Sequence, residues 1–313
     1  MFSGIFPAAL SLASLDAQVP AKPDSPAVVL HLEKARSVAG AQWTSAYQFF
    51  CVNPHANSND DPAIEPTKIF DNVYVIGNTG TVAYAITTSE GIILLDSLAA
   101  NQVDTVLLPG MRKLGLDPAQ VKLVVVAHGH ADHFGGSPYF QAHGAHVAMS
   151  AADWDFIAPK PGAPARGAAP PSRDVVLVEG QPVGLGDVKI LPVLTPGHTP
   201  GSMAFIFPVK DNGKTRTAGL FGGTMLTATR PTPEEINQYL TSITHFRNEA
   251  VKAGVEVELQ NHPLMDDLPG RLAQLRARGV DGSNPFVVGR ENYPVFLDVM
   301  SECMRAQLGR RTQ

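Results

Sequence analysis

Cysteine is scarce: the 313 residues hold only Cys51 and Cys303. Two are too few for a disulfide scaffold, and neither stands in a CxxC pair or a Cys/His cluster, so thiolate metal ligands are not expected. Basic runs are also missing. With 24 Lys and Arg against 29 Asp and Glu, the formal net charge is −5. No track of cations could neutralise a row of phosphates, which argues against a nucleic-acid partner. Nor are there long apolar runs. The longest, residues 91–96 and 122–127, are strand-sized, against the ~20 residues a membrane helix needs. What remains is a chain with 44% hydrophobic and 17% charged residues, ordinary for a soluble globular protein and long enough to bury one large core.

The first residues, with an apolar centre and small residues up to Ala17, resemble a short export signal that lacks the usual positive start. A periplasmic or secreted location is the corresponding expectation. Residues 1–24 then form the signal or N-terminal segment, 25–67 an N-terminal extension, 68–267 the main domain and 268–313 a C-terminal helical extension. Cys303 falls on the apolar stripe Val295, Phe296, Val299, Met300, Cys303, Met304, Leu308. It reads either as a buried thiol on a helix face or, in an oxidising compartment, as half of a Cys51–Cys303 disulfide tying the two ends together.

Within the main domain, residues 69–76, 82–87 and 91–96 read as strands rich in β-branched residues. A helix is expected at 103–114, kinked or interrupted by Pro109. An apolar strand at 122–127 runs into His128, and a helical stretch at 137–143 and a strand at 146–150 follow. Further on lie a strand at 188–194, a hairpin of 203–209 with 215–221 turned at 211–213, a helix at 233–253, a strand at 255–259 and a helix at 293–308. This is a mixed α/β pattern, and two β-rich halves each ending in helices suit a sandwich. The Pro/Gly/Ala-rich segment 159–174 is either a wall of a substrate cleft or a solvated connector. Trp154 either lines that cleft or sits in the core.

The chemistry is concentrated in His128-Gly129-His130-Ala131-Asp132-His133. In an extended segment leaving a strand, alternate side chains share a side, so His128, His130 and Asp132 can converge while His133 turns aside as a helix begins. That spacing suits one metal on His128 and His130 and a second on Asp132 and His133. A catalytic zinc takes three protein ligands and keeps a position open for water, so two more donors are needed. His198, in the tight turn Thr195-Pro196-Gly197-His198-Thr199-Pro200-Gly201-Ser202, and His262, in Gln260-Asn261-His262-Pro263, both follow strands. Packing offers no reason to crowd three imidazoles and a carboxylate beside Gly129. His31, His55, His143, His146 and His245 read instead as surface or satisfied core residues.

HxHxDH at 128–133, GHTPGS at 197–202 and a final His after a strand resemble the metallo-β-lactamase superfamily over about residues 68–265. The resemblance implies an α/β fold, an αββα sandwich of two mixed β-sheets flanked by helices, with metals in the cleft between the sheets. It implies two Zn2+ per chain, the first on His128, His130 and His198 and the second on Asp132, His133 and His262. Many superfamily members carry a metal-bridging Asp in a Gly-Asp step after the hairpin. Here that step reads Gly222-Gly223; loss of that Asp is similar to true β-lactamases, and the combination of His128 with no Cys at the second metal is similar to their third subclass. Tyr239-Leu240-Thr241-Ser242-Ile243 also resembles that subclass. Two departures are Thr224 and Leu226 where the subclass commonly has Ser, and a longer C-terminal extension.

By that resemblance the chain is a monomeric hydrolase that opens the β-lactam ring of a small-molecule antibiotic, a hydroxide activated by the metals attacking the lactam carbonyl. Asp132 would orient the hydroxide, and Thr224 and Thr227 would hold the substrate carboxylate. Asp96, at a strand end, resembles the superfamily's aspartate that fixes ligand geometry, and reads equally as a turn cap. Hydrolysis of a lactone, thioester or other amide, and a non-catalytic zinc-binding role, are the competing readings.

Overall fold

Alternation along the strands builds two sheets that share one apolar interior. The computed structural model describes residues 23–52, 61–159, 169–223, 226, 231–279 and 282–313. The first sheet runs in sequence order: β1 (Thr67–Phe70), β2 (Val73–Gly77), β3 (Val82–Thr88), β4 (Gly91–Leu95), β5 (Val121–Val125), β6 (His146–Ser150) and β7 (Val175–Leu177). Pairing is antiparallel up to β4 and parallel from β4 to β7. The second sheet contains β8 (Val183–Leu185), β9 (Val188–Leu194), β10 (Met203–Asp211), β11 (Lys214–Leu220) and β12 (Val257–Leu259), ordered β12-β11-β10-β9-β8. Only β11 and β12 are parallel there.

In β3, Val82, Tyr84 and Ile86 point into the core between the sheets, where they meet Phe205, Phe207 and Val209 of β10. The intervening Ala83 and Ala85 face the other way, onto a helical layer containing Leu107, Met111 and Phe140. In β10 the intervening Ala204 and Ile206 face the opposite layer. Period-two burial on both faces thus makes an αββα sandwich, the fold class expected from the sequence.

The outer layer on the second sheet joins both ends of the chain. Helix α1 (Pro26–Ala39), α2 (Thr44–Tyr47) and the π-helical turn Gln48–Val52 pack with long helices further on. Cys51 and Cys303 form a disulfide with Cα atoms 4.9 Å apart, so the cross-link is present and also lies on the buried helix face. Residues 53–60 fall outside the described residues.

One expectation needs correction. Residues 69–76 are not one strand, because Asp71-Asn72, a turn-forming pair, divides β1 from β2. The helical stretch around Pro109 is interrupted as expected: a π-helical run, Val103–Leu107, gives way to α3 (Leu108–Lys113), with Pro109 in its first turn. Helices α4 (Ala131–Phe134), α5 (Ser137–Ala142) and α6 (Ala151–Ile157) follow. Next comes α7 (Pro233–Ala253), opened by a Thr232/Glu235 capping box and closed by Gly254 in the left-handed conformation. Its buried Ile236, Tyr239, Ile243, Phe246 and Ala250 follow the helical repeat. Helices α8 (Leu268–Ala277) and α9 (Tyr293–Thr312) complete the chain.

Candidate metal centre

Every segment of the site leaves the carboxyl end of a strand. Asp96 follows β4, residues 128–133 follow β5 and open α4, His198 follows β9 and His262 follows β12. The sandwich therefore brings all four segments to one edge, where open α/β sheets commonly bind ligands.

The structure brings the six expected ligands together as two triads. His128, His130 and His198 form one, and Asp132, His133 and His262 the other, with donor atoms within 4.8 Å of one another in each. In the first, His198 Nε2 lies 2.9 Å from His130 Nδ1 and 2.9 Å from His128 Nε2. In the second, His133 Nε2 is 3.2 Å from His262 Nε2 and 3.4 Å from Asp132 Oδ2. Imidazole nitrogens that face each other at such distances need a proton or a cation between them. A donor set of N, N, N and O, N, N, each within 4.8 Å, fits a metal ion at each triad.

Neighbouring groups fix these donors. Asp96 Oδ2 is 2.8 Å from His133 Nδ1 and accepts from Asn261 Nδ2, while its Oδ1 accepts from the Ala127 N–H at 2.8 Å. Asp96 has φ of 59°, a costly conformation for a non-glycine residue that its three partners over-determine. Asp96 thus contacts both a ligand ring and the backbone that follows β5. The His262 Nδ1–H donates to the Gly80 carbonyl at 2.9 Å, which leaves Nε2 as the lone-pair nitrogen on the site side. Thr81 Oγ1 donates to Asp132 Oδ2 at 3.2 Å. Gly80 and Thr81 are held in turn by Asn78 Oδ1, which accepts from both their N–H groups.

Charge separates the two triads. Burial, then the neighbouring imidazoles, hold His128 well below the ordinary histidine range, and burial with the His133 charge pushes His262 down to about 4. Burial also acts against a proton on His133, but Asp132 and Asp96 overcome it and raise His133 to about 10. Burial would raise Asp132, yet the His133 charge and hydrogen bond hold it well below the usual carboxylate range. Without a cation, His133 is the residue that carries the proton.

The Gly222-Gly223 step leaves no place for a bridging carboxylate. Gly223 has φ of 73°, and a Cβ there would lie 2.7 Å from Ser202 Oγ and 2.8 Å from His198 Cβ. A Cβ on Gly222 would lie 2.1 Å from the Met203 carbonyl oxygen. Thr224 and Thr227, expected at the substrate carboxylate, lie outside the described residues, as do residues 160–168 of the Pro/Gly-rich segment. Trp154 is core: it is buried and donates Nε1–H to the Val175 carbonyl. The aromatic at the cleft is Phe156, 44% exposed, its ring 5.9 Å from that of His130. Helix residues two apart point about 200° apart, which explains the exchange.

Asp153 is a further buried carboxylate beside the first triad. Its carboxylate is fully buried and accepts from the Gly129 and Gly201 N–H groups and from Thr199 Oγ1. The sequence did carry a signal, since Ser150-Ala151-Ala152-Asp153 has the spacing of a helix start, and Ser150 Oγ caps the Asp153 N–H. Away from the site, His31 pairs with Glu302, His146 with Asp174 and His245 with Glu179, while His143 bonds the Tyr139 carbonyl. His55 is outside the described residues.

Two sheets meeting at an edge where two His/Asp triads converge make a candidate metal centre in an αββα sandwich. Residues 76–211 match the family model of the metallo-beta-lactamase superfamily. Among solved structures, it is similar to BJP-1, a subclass B3 metallo-beta-lactamase of Bradyrhizobium japonicum, at 25% identity and a TM-score of 0.68, covering 88% of this chain and 98% of that one. The native FEZ-1 metallo-beta-lactamase from Legionella gormanii matches at 23% identity and a TM-score of 0.69, covering 81% and 98%. Among the described residues no helix is long and apolar enough to cross a membrane.

Proposed function

We propose that this chain is a two-zinc β-lactamase that opens the lactam ring of a small-molecule antibiotic. The observation that carries this reading is the pair of convergent triads beside a Gly222-Gly223 step too crowded for a bridging carboxylate. Imidazole-rich sets with one carboxylate suit zinc, and zinc at such sites lowers the pKa of water to about 7 and polarises a carbonyl as a Lewis acid.

The chain's own residues supply the rest. His128, His130 and His198 would hold one ion, and Asp132, His133 and His262 the other. Asp132, kept ionised by His133, accepts a hydrogen bond from the attacking water and so orients it. Asp96 and the Gly80 carbonyl hold His133 and His262 with their site-side nitrogens aimed inward. Phe156 walls the cleft beside His130, excluding water from one side of the substrate. Beside His198 and Leu226 lies a cavity of about 360 Å³, of the order of a drug-sized pocket. Thr224 and Thr227 remain the proposed carboxylate contacts. Export to the periplasm or outside the cell is part of the proposal, and the Cys51–Cys303 disulfide supports it, since such bonds persist in oxidising compartments.

A substrate panel tests the reading. Purified protein supplied with zinc is offered a carbapenem, a cephalosporin, a lactone and a thioester. Turnover of the lactams well above the other two, abolished by a chelator, is expected. Preference for the lactone or thioester would replace the lactam assignment with a related hydrolase.

A further inference from the structure

Two buried carboxylates hold the loops that carry the triads. Asp96 bonds His133 and Asn261, next to His262, and also accepts from the Ala127 N–H, next to His128. Asp153 bonds none of those residues. It takes the Gly129 N–H, between His128 and His130, at 2.7 Å, the Gly201 N–H at 2.8 Å and the Thr199 hydroxyl at 2.7 Å. Residues 199 and 201 belong to the turn that presents His198. One side chain, on the first turn of α6, therefore ties together the two loops that supply the first triad. Thr199 Oγ1 also lies 2.7 Å from Ser202 Oγ, which accepts from the Thr199 N–H, closing the turn on itself.

The glycines on either side show that this approach is built in. A Cβ on Gly201 would fall 2.0 Å from Ser150 Oγ and 2.6 Å from the Asp153 nitrogen. A Cβ on Gly129 would fall 2.8 Å from Ile157 Cγ2 and 2.9 Å from Phe156 Cδ1. Both loops are bare of side chains where α6 enters, so Gly129 and Gly201 serve contact with Asp153 rather than the metal. A buried acceptor with three donors has one geometry in which all are satisfied, and losing it leaves N–H groups unpaired.

We propose that Asp153 is a positioning residue that sets the distance between the His128/His130 loop and His198, and so tunes the affinity of the first triad alone. This rests on the metal-centre reading above. Groups that orient metal ligands typically contribute 10–100-fold to metal affinity, so a loss of about that size is expected on replacement by Asn, which cannot accept from all three donors.

The test measures zinc affinity by chelator competition in two backgrounds. His262→Ala leaves only the first triad intact, and His128→Ala only the second. Asp153→Asn is expected to weaken binding at least about tenfold in the first background and less than about twofold in the second. Thr199→Val, which removes one of the three donors, is expected to give a smaller loss in the first background only. Equal losses in both backgrounds would mean general loosening of the fold, and no loss in either would mean the loops hold themselves; both overturn the proposal. Failure of the unsubstituted chain to bind zinc would overturn the metal centre itself.

Discussion

Asp96 Oδ2 sits 2.8 Å from Nδ1 of His133, while the opposite nitrogen of that ring faces His262 at 3.2 Å. The contact aims His133 into the second triad. Asp96→Ala is expected to cut affinity for the second metal by about 10–100-fold, with less effect on the first. Stepwise zinc titration of the variant against the unsubstituted chain checks this; unchanged affinity for the second equivalent would assign Asp96 to the strand turn alone.

Metal binding at the second triad should release a proton. His133 is raised to about 10 from an ordinary 6.5, so at neutral pH the metal-free chain carries that proton and a metal must displace it. The sign follows: the His133 ion pairs stabilise the metal-free fold fully below 6.5, and this stabilisation is lost as pH rises through about 10. Affinity for the second zinc therefore rises with pH, by about tenfold per unit while His133 stays protonated. Calorimetry in buffers of different ionisation heat measures the proton directly, and binding without proton release would contradict the account.

Arg271 holds the chain's ends to the strand that leads to His262. Its guanidinium lies between the Trp43 and Phe286 rings, 5.3 and 5.8 Å from their centroids, and pairs with the buried Glu258 of β12. Asp266 approaches the same group at 3.6 Å. Arg271→Ala leaves the buried Glu258 without its cation, and a loss of about 3–5 kcal/mol is expected in denaturant unfolding.

The Cys51–Cys303 bond closes a separation of 252 residues. Opening it by Cys51→Ser with Cys303→Ser should lower unfolding stability by about 3–5 kcal/mol, while zinc content stays the same, because both residues belong to the helical layer rather than the cleft. Loss of metal from the double variant would show that the outer layer supports the site.

The ligands were legible because they are local and chemically crowded: HGHADH has no packing rationale, and His198 and His262 each follow a strand end. The sandwich was legible from alternation in segments such as 82–87. Asp153 was harder to see because its partners are two backbone N–H groups and one hydroxyl, brought to it only by folding. Likewise Trp154 and Phe156 differ in sequence by two positions but lie on opposite helix faces, a distinction that needs the helix to be placed first. Asp71-Asn72 carried its turn signal in plain view, hidden by the β-branched residues around it.

The most direct measurement is carbapenem turnover as zinc is added back to metal-free protein. The account predicts turnover that climbs with added metal and levels off at two equivalents per chain. Two equivalents bound with no lactam turnover, or full activity with no metal at all, would contradict it.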